Sequence, residues 1–163
     1  MRRAMQLALL MISLPLLGSS QTRDYSNGLG YAFFSPGVTS PGTVTWAHMG
    51  VGGDGFFTKY VSAGAEVGYL TPIQNFSGGI GTLSPNLVVR FRAKDEHNRL
   101  EPFATGGYTL FFRTGHANGL NFGGGVDYWV KDHVGLRFEV RDNVWTLGAA
   151  IHYIGFRVGV TFR

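Results

Sequence analysis

The chain has 163 residues, with 25 glycines, no cysteine, 14% aromatic and only 15% charged side chains, and a formal charge of +4. That length bounds it to one domain, and the missing cysteines exclude disulfides, thiolate metal sites and a lipid-modified cysteine. The basic residues are scattered, with no run that would track a phosphate backbone, which speaks against nucleic acid as a partner.

Residues 1–20 open the chain with Arg2 and Arg3, then an apolar run from Leu7 to Leu17, then the small residues Gly18 and Ser20. This is the layout of a secretory signal peptide cleaved before Gln21. The apolar run would rise only about 16 Å as a helix, too little for a hydrocarbon core of about 30 Å. Removing Arg2 and Arg3 lowers the formal charge from +4 to +2.

The remainder, residues 21–163, reads as one domain of strands. Glycine is costly in helices, and a charged fraction below the ~25% of soluble domains points away from an ordinary soluble fold. Strand one is expected over residues 28–35, with Leu29, Tyr31 and Phe33 on one face, before a Pro/Gly loop over 36–42. Strand two covers 43–57, with a bulge expected among its glycines at 50–55, and Thr58 and Lys59 form a turn. Strand three covers 60–70, and 71–79 form a loop. Strand four covers 80–93, its regular ladder expected beyond Pro85, with Leu83, Leu87, Val89 and Phe91 outward. A charged connection at 94–99 leads to strand five, 100–112, which turns outward Tyr108, Leu110 and Phe112. Strand six covers 119–130, after a turn at 113–118. Residues 131–133 turn into strand seven, and 142–147 form the last loop before strand eight. The facing of strands two and five is left open.

Strands seven and eight carry the clearest signal. Val134, Leu136, Phe138 and Val140 alternate with Gly135, Arg137, Glu139 and Arg141. Ile154, Phe156, Val158, Val160 and Phe162 alternate with Gly155, Arg157, Gly159 and Thr161. A period of two puts one set on each face of a strand. One face is apolar and aromatic throughout; the other carries charges and glycines. The pair predicts a sheet that is greasy outside and polar inside. The fold class is therefore all-β, an eight-stranded antiparallel up-and-down transmembrane barrel. Connections after the odd strands are expected to be longer than those after the even ones, as when alternate ends face the outside and the periplasm.

The leader, the segments GLRFEVR and YIGFRVGVTF, and the inward residues Glu66, Arg90, Arg137, Glu139 and Arg157 together resemble the small eight-stranded outer-membrane barrels, the class of OmpX and the OmpA membrane domain. The resemblance implies an outer-membrane location in a diderm bacterium and lipid as the surrounding partner. It also implies recognition of the last strand by the barrel-assembly machinery. Phe162 supplies the aromatic of that signal, displaced one residue from the end by Arg163.

Within so narrow a barrel, charges must be paired. Asp54, Glu66, Asp127 and Glu139 can face Arg90, Arg92, Arg137, Arg141 and Arg157, and the expectation is a structural charge network filling the lumen. A proton path or gated pore is the functional alternative. His48, His97, His116, His133 and His152 show no metal-ligand spacing, and no cofactor or metal is expected. His116 with Ser62 or Ser84 and Glu66 is the one imaginable hydrolytic set. Trp46, Trp129, Trp145, Tyr25, Tyr31, Tyr69, Tyr128 and Tyr153 read as interfacial girdles, and Gly123–Gly125 as a site of close strand packing.

These readings predict a monomeric, non-enzymatic barrel with a structural or surface-interaction role carried on its outer loops. The alternatives are a lipid-modifying barrel enzyme of the lipid A deacylase kind and a soluble periplasmic ligand-binding barrel with the faces reversed.

Overall fold

Alternation at period two, repeated along the chain, gives strands with nothing to cover their apolar face except lipid, and a polar face that can be shielded only by closing on itself. In the computed structural model, which describes residues 28–40, 44–91, 99–146 and 150–163, closure is complete. Strands β1 (Gly28–Ser40), β2 (Thr45–Phe56), β3 (Val61–Pro72), β4 (Ile80–Arg90), β5 (Leu100–Phe112), β6 (His116–Lys131), β7 (Val134–Thr146) and β8 (Ala150–Phe162) form one antiparallel barrel. β1 closes the ring on β8, from Gly30 opposite Phe162 to Ser40 opposite His152.

The faces follow the sequence pattern. Leu136, Phe138, Val140, Phe156, Val158 and Val160 are exposed on the outer surface, while Arg137, Glu139, Arg141 and Arg157 are buried within. On β2, Asp54 and His48 point inward and Val51 outward; on β5, Glu101, Phe103 and Thr109 point inward and Tyr108 and Phe112 outward. A soluble barrel would need the opposite arrangement.

Several strands are longer than the breaker residues suggest, whereas β2, expected over 43–57, is shorter. β1 runs through Pro36 and Gly37 to Ser40, β3 runs to Pro72, and β7 runs through Asp142 and Asn143 to Thr146. The turn before β6 shrinks to residues 113–115. The reason lies in the ladder, which costs a proline one hydrogen bond on one side only. Pro36 pairs with Ala47 on β2, whereas the β8 register passes from Phe34↔Val158 to Gly37↔Gly155. Pro85 pairs with Ala65 on β3, whereas the β5 register passes from Leu83↔Leu110 to Asn86↔Gly107. The ladder with β3 therefore begins before Pro85, at Ile80. The bulge expected in β2 is absent from its registers with β1 and β3; the irregularity lies between Trp129 and Lys131.

Connection lengths do not sort as expected. At the end away from the strand termini Gly28 and Phe162, the connections are residues 41–44, 73–79, 113–115 and 147–149, the second containing one 3-10 turn at Phe76–Gly78. At the terminal end they are 57–60, 91–99 and 132–133, so the longest of all lies where short turns were anticipated.

Candidate functional site

Inward-facing residues of all eight strands fill the lumen in layers. At the terminal end Leu29, Tyr31, Phe33 and Trp129 cluster, with Phe56 packed against them. Glycine makes room for these rings. The Tyr31 ring lies over Gly52 of the paired strand, where an added Cβ would sit 2.6 Å from it.

Among these rings sits the first charge cluster, whose hub is Arg90 of β4. Its Nη2 donates to Asp54 Oδ2 (2.9 Å), and its Nη1 to Asp127 Oδ2 (2.7 Å) and Glu101 Oε1 (3.4 Å). Arg137 donates to both oxygens of Asp127, through Nε at 2.8 Å and Nη2 at 2.9 Å. Its guanidinium lies 4.2 Å from the Tyr31 ring centre and 4.7 Å from that of Phe103. The Trp129 indole N–H donates to Glu101 (3.3 Å). Bidentate and ring-stacked contacts of this kind suit the planar guanidinium and would be lost with lysine.

The second cluster has a carboxylate at its hub. Glu66 Oε2 accepts from Arg141 Nη1 (3.0 Å), Arg157 Nη1 (3.0 Å) and the Tyr31 hydroxyl (3.2 Å), and its Oε1 accepts from Arg157 Nη2 (2.9 Å). Arg141 Nε also donates to Glu139, and Arg157 covers the Phe33 ring at 4.1 Å. The Nδ1 of His48 faces Arg157 Nη2 (3.3 Å) and its Nε2 faces Thr82 Oγ1 (2.9 Å). A guanidinium is only a donor, so the imidazole proton belongs on Nε2.

Above His48 the lumen is polar but uncharged. Ser84 and Thr109 are bonded at 2.9 Å, and Asn121 Nδ2 donates to Thr109 at 3.0 Å. Leu70, Phe111, Trp145 and Tyr153 then close the far mouth, with Trp46, Ile80 and Ile151 against them. The Tyr153 hydroxyl donates to the Ser35 carbonyl (2.7 Å).

Of the charges singled out in the sequence, Asp54, Glu66, Arg90, Asp127, Arg137, Glu139, Arg141 and Arg157 all lie buried in the lumen and are joined in these clusters. Arg92 falls outside the described residues. Glu101 belongs with them and escaped the sequence reading, although it shares the parity of Thr109 and opposes that of Tyr108. The aromatic assignment needs a larger correction. Tyr31, Trp129, Trp145 and Tyr153 are buried inside and Trp46 packs against the inner cap, whereas Tyr69 and Tyr128 are exposed on the outer wall. Tyr25 lies outside the described residues. The parity of Leu29, Tyr31 and Phe33, opposite to the lipid-facing Phe34, was the signal that could have placed Tyr31.

The imagined hydrolytic set does not assemble. His116 opens β6 at the far end, Ser62 stands near the start of β3 at the terminal end, Glu66 is held by arginines, and Ser84 is bonded to Thr109. His133 is exposed in a turn, His152 bonds Asp142 on the outer wall at 2.8 Å, and His97 lies outside the described residues. Among the described residues no three His, Asp or Glu side chains gather as a metal ion would require.

No curated protein sequence matches the chain. Solved structures share its fold at low identity. Neisserial surface protein A superposes with a TM-score of 0.68 at 14% identity, covering 86% of this chain and 99% of that one. The N-terminal β-barrel domain of Pseudomonas aeruginosa OprF gives 0.60 at 14% identity, covering 83% and 98%. The outer membrane enzyme PagL gives 0.57 at 15% identity, covering 82% and 99%. The profile for the outer membrane protein beta-barrel domain matches residues 4–163, and the chain belongs to that family.

Proposed function

We propose that this chain is a monomeric, non-conducting barrel of the outer membrane whose lumen charges are structural, binding the eight strands to one another across the interior. The observation that carries this reading is the alternation of apolar cap, ion-pair clusters, neutral polar layer and second apolar cap along the lumen. Each arginine described in that interior meets at least one carboxylate, and aromatic rings pack on the guanidinium groups in the space a current would use. A proton or ion path would need a polar route through both caps.

Purified protein in planar bilayers is expected to give little or no steady conductance. Large, stable single-channel currents from a monomer would overturn the filled-lumen reading. Residues 1–20 act in this proposal as a cleaved export signal, with residues 21–163 as the mature barrel, assembled by the barrel-assembly machinery through β8 and surrounded by lipid. The protein should then fractionate with outer membranes and begin near Gln21. Mass spectrometry finding an intact Met1, or release by osmotic shock, would refute that part.

A structural role fits the small platform at the end away from the termini, where residues 73–79 are the largest connection available to a surface partner. The enzyme alternative has behind it a shared fold with the outer membrane enzyme PagL, and no assembled nucleophile, base and orienting acid among the residues considered for it supports it.

A further inference from the structure

The two ends of the barrel differ in charge. At the terminal end exposed basic residues stand in or beside the chain crossings, Lys59 between β2 and β3, Arg99 between β4 and β5 and Lys131 at the end of β6, and Arg163 follows β8. Asp132 is the exposed acid among the described residues there. At the opposite end the described connections carry one basic residue, Arg113, whose guanidinium is already tied to the carbonyls of Gly78 (3.0 Å) and Ser77 (3.1 Å). The flanking sequence does not offset this difference. Residues 92–98 hold Arg92 and Lys94 against Asp95 and Glu96, and residues 21–27 hold Arg23 against Asp24.

Lys59, Arg99 and Lys131 are neighbours in the chain of exposed apolar and aromatic side chains at this end, Phe57 and Tyr60, Phe91 and Leu100, and Tyr128. The Lys59 ammonium lies 4.8 Å from the Tyr60 ring centre. Arg163 turns the other way: its guanidinium lies 4.0 Å from the ring centre of Trp129 in the lumen cap, and it donates to the Asp132 carbonyl at 2.7 Å. Aromatic side chains mark the depth of the membrane interface, and cations just beyond that depth stand at the level of lipid phosphates. Basic residues in or beside successive crossings, with little acidic charge among them, match separate monovalent anions at this end of the barrel.

We infer that Lys59, Arg99 and Lys131 bind the phosphates of anionic phospholipids, so that the terminal end of the barrel selects an anionic annulus. The contact is electrostatic and exposed, and it weakens with salt.

The full mature chain, folded in vesicles of phosphatidylcholine, can be titrated with spin-labelled phosphatidylglycerol or spin-labelled phosphatidylcholine as the probe. Phosphatidylglycerol should be preferred by roughly fivefold or more at low ionic strength, the scale of one basic residue at a charged membrane surface. The preference should collapse in 0.5 M NaCl (about a 4 Å screening length) and in the K59Q/R99Q/K131Q variant, while R113Q retains it. Should the triple variant fail to fold, K59Q in a turn and K131Q at the last residue of β6 should each lower the preference and together lower it further. Equal association of the two probes would overturn the inference, as would a preference that survives the substitutions or falls equally in R113Q. Loss of lipid selectivity with sedimentation of the protein on isolated peptidoglycan would assign these residues to a wall polymer instead.

Discussion

The two charge clusters of the lumen are inverted copies of one solution. Around Arg90 a single cation gathers Asp54, Glu101 and Asp127; around Glu66 a single anion gathers Arg141 and Arg157. Each hub lies on a different strand from its partners, so either cluster ties strands that are not neighbours in the sheet. Arg90 on β4 reaches Asp54 on β2 and Asp127 on β6, and Glu66 on β3 reaches Arg141 on β7 and Arg157 on β8. The backbone ladder cannot make such connections. The clusters also differ in redundancy. Arg141 keeps Glu139 if Glu66 is neutralised, and Arg157 keeps its contact with His48. Asp54 has Arg90 as its ion-pair partner in the first cluster, while Arg137 serves Asp127.

Removing the cationic hub should therefore have the larger effect. R90A leaves several carboxylates facing one another with Arg137 alone nearby, and should lower stability by about 3–5 kcal/mol, the cost of orphaning buried charge. Urea unfolding in vesicles, followed by the gel mobility of the folded barrel, measures it. Adding D54N to R90A should recover part of the loss; if the double variant is weaker than R90A, the hub picture fails.

E66Q should cost less, about 1–3 kcal/mol, because glutamine still accepts from one guanidinium and Glu139 remains beside Arg141. Here the compensating change has the opposite sign, and R157M should recover stability in the E66Q background. A loss in E66Q equal to that in R90A would show that the redundancy of the second cluster contributes nothing.

Most of the wall was legible because a transmembrane barrel forces strict alternation. In β7 and β8 every second residue had to satisfy lipid, and Arg137, Glu139, Arg141 and Arg157 could stand only on the other side. Strand ends were less legible. Pro36, Asp142 and Asn143 read as breakers from local preference, yet in a closed sheet the neighbouring strands hold them extended. The aromatics failed for a different reason. Tyrosine and tryptophan suit an interface and a polar lumen equally well, offering an apolar ring and one hydrogen-bonding group. Composition cannot separate the two settings, whereas register can, as Trp129 shows by opposing Gly135 on the lumen side. Which arginine serves which carboxylate was beyond the sequence altogether, because the partners of Glu66 lie on strands brought beside it only by closure of the ring.

The apolar caps have a consequence for the charges between them. Two unit charges 4 Å apart attract by about 1 kcal/mol in water, but by about 4 kcal/mol at the effective dielectric constant of a protein surface region. Leu29, Phe33 and Trp129 at one mouth and Leu70, Phe111, Trp145 and Tyr153 at the other keep bulk water from the column of arginines and carboxylates. They set the dielectric in which the pairs operate. The caps thus amplify every ion pair between them, those that Phe33 and Trp129 touch and those they do not, and a cap lost at either mouth would weaken contacts several layers away.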